Sequence, residues 1–172
     1  SNYGVELTAE RYFSDGYFFL TTVSLFDSKY TDLAGVTRNT AFNSQYVANV
    51  MGGKEFDFTK NNKVRKLTLS LKGSMAGGRW AAPLDLEESR SVGYTVYEDA
   101  PYSKQMSDYF KLDVQVKWAV DKKKTTRELT FEVQNVTNNQ AVTQEYYNGF
   151  ADQVEYVYQL SFFPAIYYKI TF

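Results

Sequence analysis

The sequence predicts an all-β chain, an antiparallel up-and-down meander of about seven strands that is a slice of a large transmembrane β-barrel. Three observations predict it. Apolar and polar residues alternate along successive segments, and the connections between those segments run short, then long, then short again. Aromatic residues make up 17% of the 172 residues, with 15 Tyr and 13 Phe. A barrel wall has tight turns at one rim, extended loops at the other, and girdles of amphipathic rings at both interfaces.

Val5, Leu7, Ala9 and Phe13 fall on one face of the first strand, with Glu6, Thr8 and Glu10 on the other. Ser14-Asp15-Gly16 supplies a hairpin turn, because Asp-Gly tolerates positive φ, and Tyr17 to Phe26 returns. Asp27 to Asn43 reads as a polar loop. Ser44 to Phe58 reads as a strand whose Gly52-Gly53 marks a bend or a close neighbour, and Thr59 to Lys63 as a turn.

Leu67, Leu69, Leu71 and Gly73 then oppose Thr68, Ser70, Lys72 and Ser74 in a register that a one-residue slip would invert. Ala76 to Asp108 is too long for a hairpin turn and has no strand pattern beyond Tyr94 to Tyr97. Within it, Asp85 to Arg90 fits one or two helical turns between Pro83 and Gly93. Tyr109 to Val120 alternates again, setting Phe110, Leu112, Val114, Val116, Trp118 and Val120 against Lys111, Asp113, Gln115 and Lys117. The short, lysine-rich Asp121 to Thr125 leads into Arg127 to Val136, where Leu129, Phe131 and Val133 oppose Glu128, Thr130, Glu132 and Gln134. Asn138 to Glu155 reads as a long polar loop, and Tyr156 to Phe172 as the closing strand.

An odd number of strands puts the two termini at opposite rims, whereas whole single-chain barrels generally have an even number. The count therefore describes a section of a larger barrel; a closed eight-strand barrel is the alternative if two strands have been merged. A third possibility is a soluble β-sandwich that binds carbohydrate through Tyr and Trp. The sandwich would gather Trp80 and its neighbours into one platform, whereas a barrel would spread its rings into two bands.

Composition narrows the chemistry. With no Cys and no His, thiol nucleophiles, His-dependent triads and Cys/His zinc sites are excluded. The formal charge of -1 gives no broad attraction for nucleic acid. No run of roughly 18 apolar residues offers a membrane-spanning helix. Ser1-Asn2-Tyr3-Gly4 has neither a basic nor an apolar leader region, so no signal peptide is expected.

Asp85, Glu87-Glu88 and Glu98-Asp99 lack the spacing of a catalytic carboxylate pair and read as solvated loop residues. No enzyme, metal or cofactor is expected. Gly77-Gly78-Arg79-Trp80 lacks the Lys-Ser/Thr ending of a phosphate loop and reads as a flexible exit from the wall. Asn135-Val136-Thr137 matches a glycosylation acceptor, a pattern frequent by chance. Glu6, Glu10, Lys72, Lys111, Asp113, Lys117, Glu128 and Glu132 would line a wet interior of mixed charge.

Several stretches resemble the C-terminal barrel segment of TonB-dependent outer-membrane receptors of Gram-negative bacteria. They are Ser24-Leu25-Phe26-Asp27-Ser28-Lys29-Tyr30, Arg38-Asn39-Thr40, Phe42-Asn43, Gly53-Lys54-Glu55-Phe56 and Pro83-Leu84-Asp85-Leu86. Asp108-Tyr109-Phe110-Lys111-Leu112-Asp113 and Gln134-Asn135-Val136-Thr137-Asn138 continue the likeness over nearly all of residues 1–172. The ending resembles that family's assembly signal, a terminal Phe172 preceded at alternate positions by Ile170, Tyr168 and Ile166. Pro164 is best tolerated near a strand start, so the final spanning segment is expected to begin there.

The resemblance implies a single C-terminal portion of such a barrel, without plug domain or TonB-contacting segment, placed in the outer membrane. It implies outer-membrane lipid, the barrel-assembly machinery and, through the absent N-terminal part, the TonB complex as partners. The cargo it implies is a siderophore or similar small nutrient taken up with TonB-derived energy. Arg38, Arg79, Trp80, Tyr94, Tyr97, Tyr146 and Tyr147 are the loop residues placed to meet that ligand. An isolated section would have two unpaired sheet edges and would self-associate through them.

Overall fold

Alternation of the kind described above can be satisfied only if every strand keeps one register with its neighbours, and the chain does so. The computed structural model describes residues 1–58 and 63–172. The long strands are β1 (Asn2–Ser14), β2 (Tyr17–Thr31), β4 (Tyr46–Asp57), β5 (Val64–Ala76), β8 (Tyr109–Asp121), β9 (Thr126–Gln134) and β12 (Phe163–Thr171). They pair antiparallel in the order β1-β2-β4-β5-β8-β9-β12, a seven-strand meander in chain order, and β1 and β12 are not paired with each other. The sheet is open. Between the long strands lie β3 (Thr37–Asn39), β6 (Trp80–Ala81), α1 (Leu86–Val92), β7 (Lys104–Gln105), β10 (Val142–Asn148) and β11 (Gln153–Tyr158).

The short connections all fall at one end. Asp15 and Gly16 turn β1 into β2 with φ of 54° and 76°, the left-handed pair that a tight hairpin needs. Residues 122–125 join β8 to β9. The expected turn over Thr59 to Lys63 lies, apart from Lys63, outside the described residues. Residues 32–45, 77–108 and 135–162 make the long connections at the opposite end. Asn2 starts at the long-loop end and the last strand runs to Phe172 at the short-turn end, as the odd count requires.

Directly opposed residues share a face, so the registers sort the side chains. One row across the sheet reads Phe19, Gly52, Leu71, Val114, Val133, Pro164, and the next reads Tyr17, Lys54, Leu69, Val116, Phe131, Ile166. This face is apolar through its middle, and toward the short-turn end it also carries Arg11, Lys54, Arg65 and Arg127. The intervening rows carry Glu6, Ser24, Lys72, Asp113, Gln115, Glu132 and their neighbours on the other face. All the charged residues expected in a wet interior share that second face.

Nothing among the described residues covers the apolar face. Leu7 and Ile166 are each 70% exposed, and Val5, Leu25, Val50, Leu71 and Tyr168 are exposed with them. The buried apolar side chains are Met106, Ala119, Ala141 and Tyr147, and all but Ala119 belong to the long connections. The packed core therefore sits in the loops, and the sheet itself rests on its hydrogen-bond ladders. At Gly53 an added Cβ would lie 2.5 Å from the ring of Phe18 and 2.8 Å from the Leu69 carbonyl oxygen. Gly52-Gly53 therefore reflects a close neighbour: the Phe18 ring lies over its register partner Gly53.

The long connections depart most from the sequence reading. Residues expected to form the polar loop Asn138 to Glu155 form β10 and the first half of β11, a hairpin outside the main sheet. The closing segment from Tyr156 is two strands rather than one. Between them the backbone turns to side-chain amides: Asn135 Nδ2 donates to the Leu160 carbonyl at 2.7 Å, and Phe162 N–H donates to Asn138 Oδ1 at 3.0 Å. The new strand begins at Phe163, one residue before Pro164. Tyr94 to Tyr97 is not a strand; Tyr97 makes only an isolated bridge with Leu84. The helical turn is present as α1, with Asp85 accepting from Glu88 N–H as N-cap and Gly93 at φ 82° closing it.

Candidate functional site

Three buried polar side chains hold the long connections in place. Asn43 is fully buried; its Nδ2 donates to Asp27 Oδ1 at 2.7 Å and Asn39 Oδ1 at 2.8 Å, while its Oδ1 accepts from Ser28 N–H at 2.9 Å. Asn135, also fully buried, donates to the carbonyls of Asn139 and Leu160, and its own N–H donates to Asp113 Oδ1 at 2.9 Å. Ser89 bonds the backbone on both sides of α1, accepting from Val96 N–H at 2.9 Å. A buried amide that satisfies several backbone groups at once fixes a loop as a cap fixes a helix. The glycosylation-like Asn135 is thus an internal brace.

Gly77 and Gly78 are buried, and an added Cβ would collide with the carbonyls of Ser44 and Met106 respectively. Their amides donate to the Tyr46 carbonyl at 3.1 Å and Asp108 Oδ1 at 3.0 Å. These glycines serve close backbone approach between loops, which corrects the reading of a flexible exit.

Of the seven loop residues singled out from sequence, three meet. Arg79, Trp80 and Tyr97 line a cavity of about 310 Å³ with Ala81, Ala82, Tyr102, Met106, Gln144 and Glu145. Trp80 is fixed by its backbone N–H donating to the Ala41 carbonyl at 2.9 Å and its indole N–H to the Asn43 carbonyl at 2.8 Å. Tyr97 OH donates to the Glu145 carbonyl at 3.0 Å, and Lys104 Nζ lies 2.7 Å and 2.8 Å from the Glu145 carboxylate oxygens. Tyr102 packs edge-on against Tyr30, ring centroids 6.2 Å apart, with its backbone at φ 56°.

The other four lie apart. Arg38 Nε is 2.8 Å from Asp32 Oδ2 within the first long connection, and that bond holds the Asp32 carboxyl below its ordinary range. Tyr94 is exposed beyond α1. Tyr146 OH donates to Glu155, pulling the Glu155 carboxyl down, with Asn148 assisting. Tyr147 is buried and donates through its OH to Asp152 Oδ1 at 2.9 Å; Arg90 Nε reaches the same oxygen at 2.9 Å. Those two bonds, Tyr147's first, hold Asp152 below its ordinary pKa.

Tyr102, Met106, Gln144 and Glu145 complete the cavity and were not singled out from sequence. Pro101 favours a turn, but the positive φ of Tyr102 after it leaves no mark in the sequence, since that position ordinarily takes Gly or Asn. Gln144 and Glu145 sit on β10, a strand without clear alternation, and left no signal of their place.

At the other end of the sheet, Tyr17, Phe56, Trp118 and Tyr168 ring the apolar face, with Lys54 Nζ 4.7 Å from the Tyr17 centroid and 5.0 Å from that of Phe56. Tyr3, Tyr46 and Phe110 lie toward the loops, while Phe19 and Phe131 fall between the two groups. Ile166, Tyr168 and Ile170 lie on this same face of β12, all exposed, and Phe172 ends the chain exposed beyond it. No helix among the described residues is long and apolar enough to cross a membrane. Comparison with protein-family models, with curated proteins and with solved structures returned no match.

Proposed function

We propose that this chain is a section of the wall of a large outer-membrane β-barrel, the C-terminal part of a TonB-dependent receptor. In this reading its long connections form part of the ligand-facing rim for uptake of a siderophore or a similar small nutrient. One observation carries the reading: seven hydrogen-bonded strands present a broad apolar face, its basic residues gathered toward the short-turn end, that nothing among the described residues covers. In water such a face costs roughly 25 cal/mol for each Å² left wet. In a bilayer the same face is the solvated one.

Strand length supports the reading, since a tilted spanning strand needs about 9 to 11 residues and the seven strands have 9 to 15. So do the ring positions. Along β8, Phe110 and Trp118 are separated by roughly 27 Å at the usual antiparallel rise, or roughly 19–22 Å of height at a barrel strand's tilt of about 35–45°, approaching the roughly 25 Å apolar band between aromatic girdles. The charged face would then look into the lumen, and β1 and β12 would join the remaining strands of the barrel. A sandwich would need a second sheet across the apolar face; the small pairs β6-β7 and β10-β11 belong to the long connections.

The class is tested by purification: the reading expects a chain that stays in solution only with detergent or lipid, and a stable monomer in plain buffer contradicts it. The transport part is tested by deleting the encoding gene and measuring ferric-siderophore uptake under iron limitation. Loss of uptake supports it, and unchanged uptake of ferric siderophores contradicts the iron-type assignment.

A further inference from the structure

Arg79 stands at the cavity lined by β6, β10 and the loop residues Tyr97, Tyr102 and Met106, and among the described residues its guanidinium has no ion-pair or hydrogen-bond partner. The neighbouring charges are settled differently: Glu145 already holds Lys104 through both carboxylate oxygens. The cavity therefore offers one uncommitted cation beside the rings of Trp80, Tyr97 and Tyr102. Each ring is held by a contact outside the cavity or across it, Trp80 through Asn43, Tyr97 through the Glu145 carbonyl, Tyr102 through Tyr30. Such walls are formed before any ligand arrives, which lowers the ordering cost of binding. Tyr102 moreover keeps a left-handed backbone that bulky residues rarely adopt, a strain found preferentially at ligand clamps.

We infer that this cavity binds a small carboxylate carrying a single six-membered ring, the carboxylate on Arg79 and the ring against Trp80, Tyr97 and Tyr102. A planar guanidinium pairs with a carboxylate through two parallel hydrogen bonds, and aromatic walls take a ring face with little entropy loss. A volume near 310 Å³ lies at the small end of ligand sites, which run from about 300 Å³ upward. That size admits one ring rather than a chain of them. The ring has two sources, the plane of an aromatic acid or the C–H face of a sugar acid's chair, and the same carboxylate contact serves both. The inference rests on reading these loops as the ligand-facing rim; it names the chemistry that rim selects.

The test uses the full chain in detergent, with Trp118→Phe so that Trp80 is the sole indole. Fluorescence is titrated with benzoate and glucuronate, and with their neutral counterparts benzamide and glucose. Saturable quenching by benzoate alone assigns an aromatic acid, by glucuronate alone a sugar acid, and the neutral partner binds at least about tenfold more weakly. Arg79→Gln weakens the response by roughly ten- to a hundredfold, Arg79→Lys recovers part of it, and Lys123→Gln at the opposite end changes nothing.

Absence of a saturable response to both acids, equal binding of the neutral compounds, or full binding in a folded Arg79→Gln overturns the inference. The charged-against-neutral comparison needs no Arg79 variant, so it decides the matter even if that variant misfolds. Detergent dependence in the same samples separates the two claims. A detergent-requiring chain that ignores both acids contradicts the ligand assignment alone, and a detergent-free monomer that binds one contradicts only the barrel.

Discussion

The indole N–H of Trp80 donates to the backbone carbonyl of Asn43 at 2.8 Å, tying the second long connection to the first. Asn43 is itself the buried brace of the first, so one residue holds its own loop with its side chain and the next loop with its backbone. Replacing Asn43 with Ala removes the side-chain partner of Ser28 N–H and Asn39 Oδ1 in a closed site and leaves Asp27 only Lys29 and Tyr3. The expected cost is about 2 to 4 kcal/mol, read by denaturant unfolding in detergent. Because the Trp80 contact is to backbone, Trp80 fluorescence should change less than overall stability does.

Gly53→Ala puts a methyl group against both the Phe18 ring and the Leu69 carbonyl. The ring can move and the carbonyl cannot, so a loss of about 1 to 3 kcal/mol is expected. Adding Phe18→Leu should recover only part of it. Full recovery would show that the Leu69 backbone yields.

The two faces predict opposite responses to a charge. Leu71→Lys, at mid-height on the apolar face, should cost about 2 to 4 kcal/mol in a bilayer. Gln115→Lys, one residue along from Leu71's register partner Val114 and on the polar face, should stay within about 0.5 kcal/mol. Equilibrium unfolding from lipid vesicles measures both.

Acid should loosen the β10-β11 hairpin. The Tyr147 and Arg90 bonds lower Asp152 from its ordinary 3.8, and the Tyr146 and Asn148 bonds lower Glu155 from 4.5. A carboxylate whose folded pKa is lowered stabilises the fold fully above its unfolded value. That contribution fades as pH falls below 4.5 for Glu155 and below 3.8 for Asp152, and is gone beneath the folded values. Amide protection in residues 142–158, corrected for intrinsic exchange, should fall across that range, and Asp152→Asn should remove its share at every pH. Constant protection down to roughly pH 2 would contradict it.

The main sheet was legible because its strands bury little within the chain, only Thr68, Asp113 and Ala119 among the described residues, so the period of two survives intact. Leu67 to Gly73 and Phe110 to Val120 show it most clearly, and their registers match residue by residue. The loops were not legible for the opposite reason. β10 is held where Glu145 and Tyr147 bond Tyr97 and Thr95 of the preceding long connection, and such contacts leave no period in the sequence. In the sequence Phe42-Asn43 and Gln134-Asn135 are stretches resembling a receptor family, and that likeness gives no role to Asn43 and Asn135, which the structure makes buried loop braces. Of the cavity, Arg79, Trp80 and Tyr97 were recognisable as loop cation and rings, but their convergence was not.

The most direct measurement of the central claim is face-resolved accessibility along β5 and β8. The chain has no Cys, so single cysteines at Leu69, Ser70, Leu71, Val114, Gln115 and Val116 can each carry a fluorophore after reconstitution into vesicles. The account predicts quenching by a lipid-borne quencher at Leu69, Leu71, Val114 and Val116, and by a water-soluble quencher at Ser70 and Gln115. Water access at all six positions, or no alternation between neighbours, would contradict it.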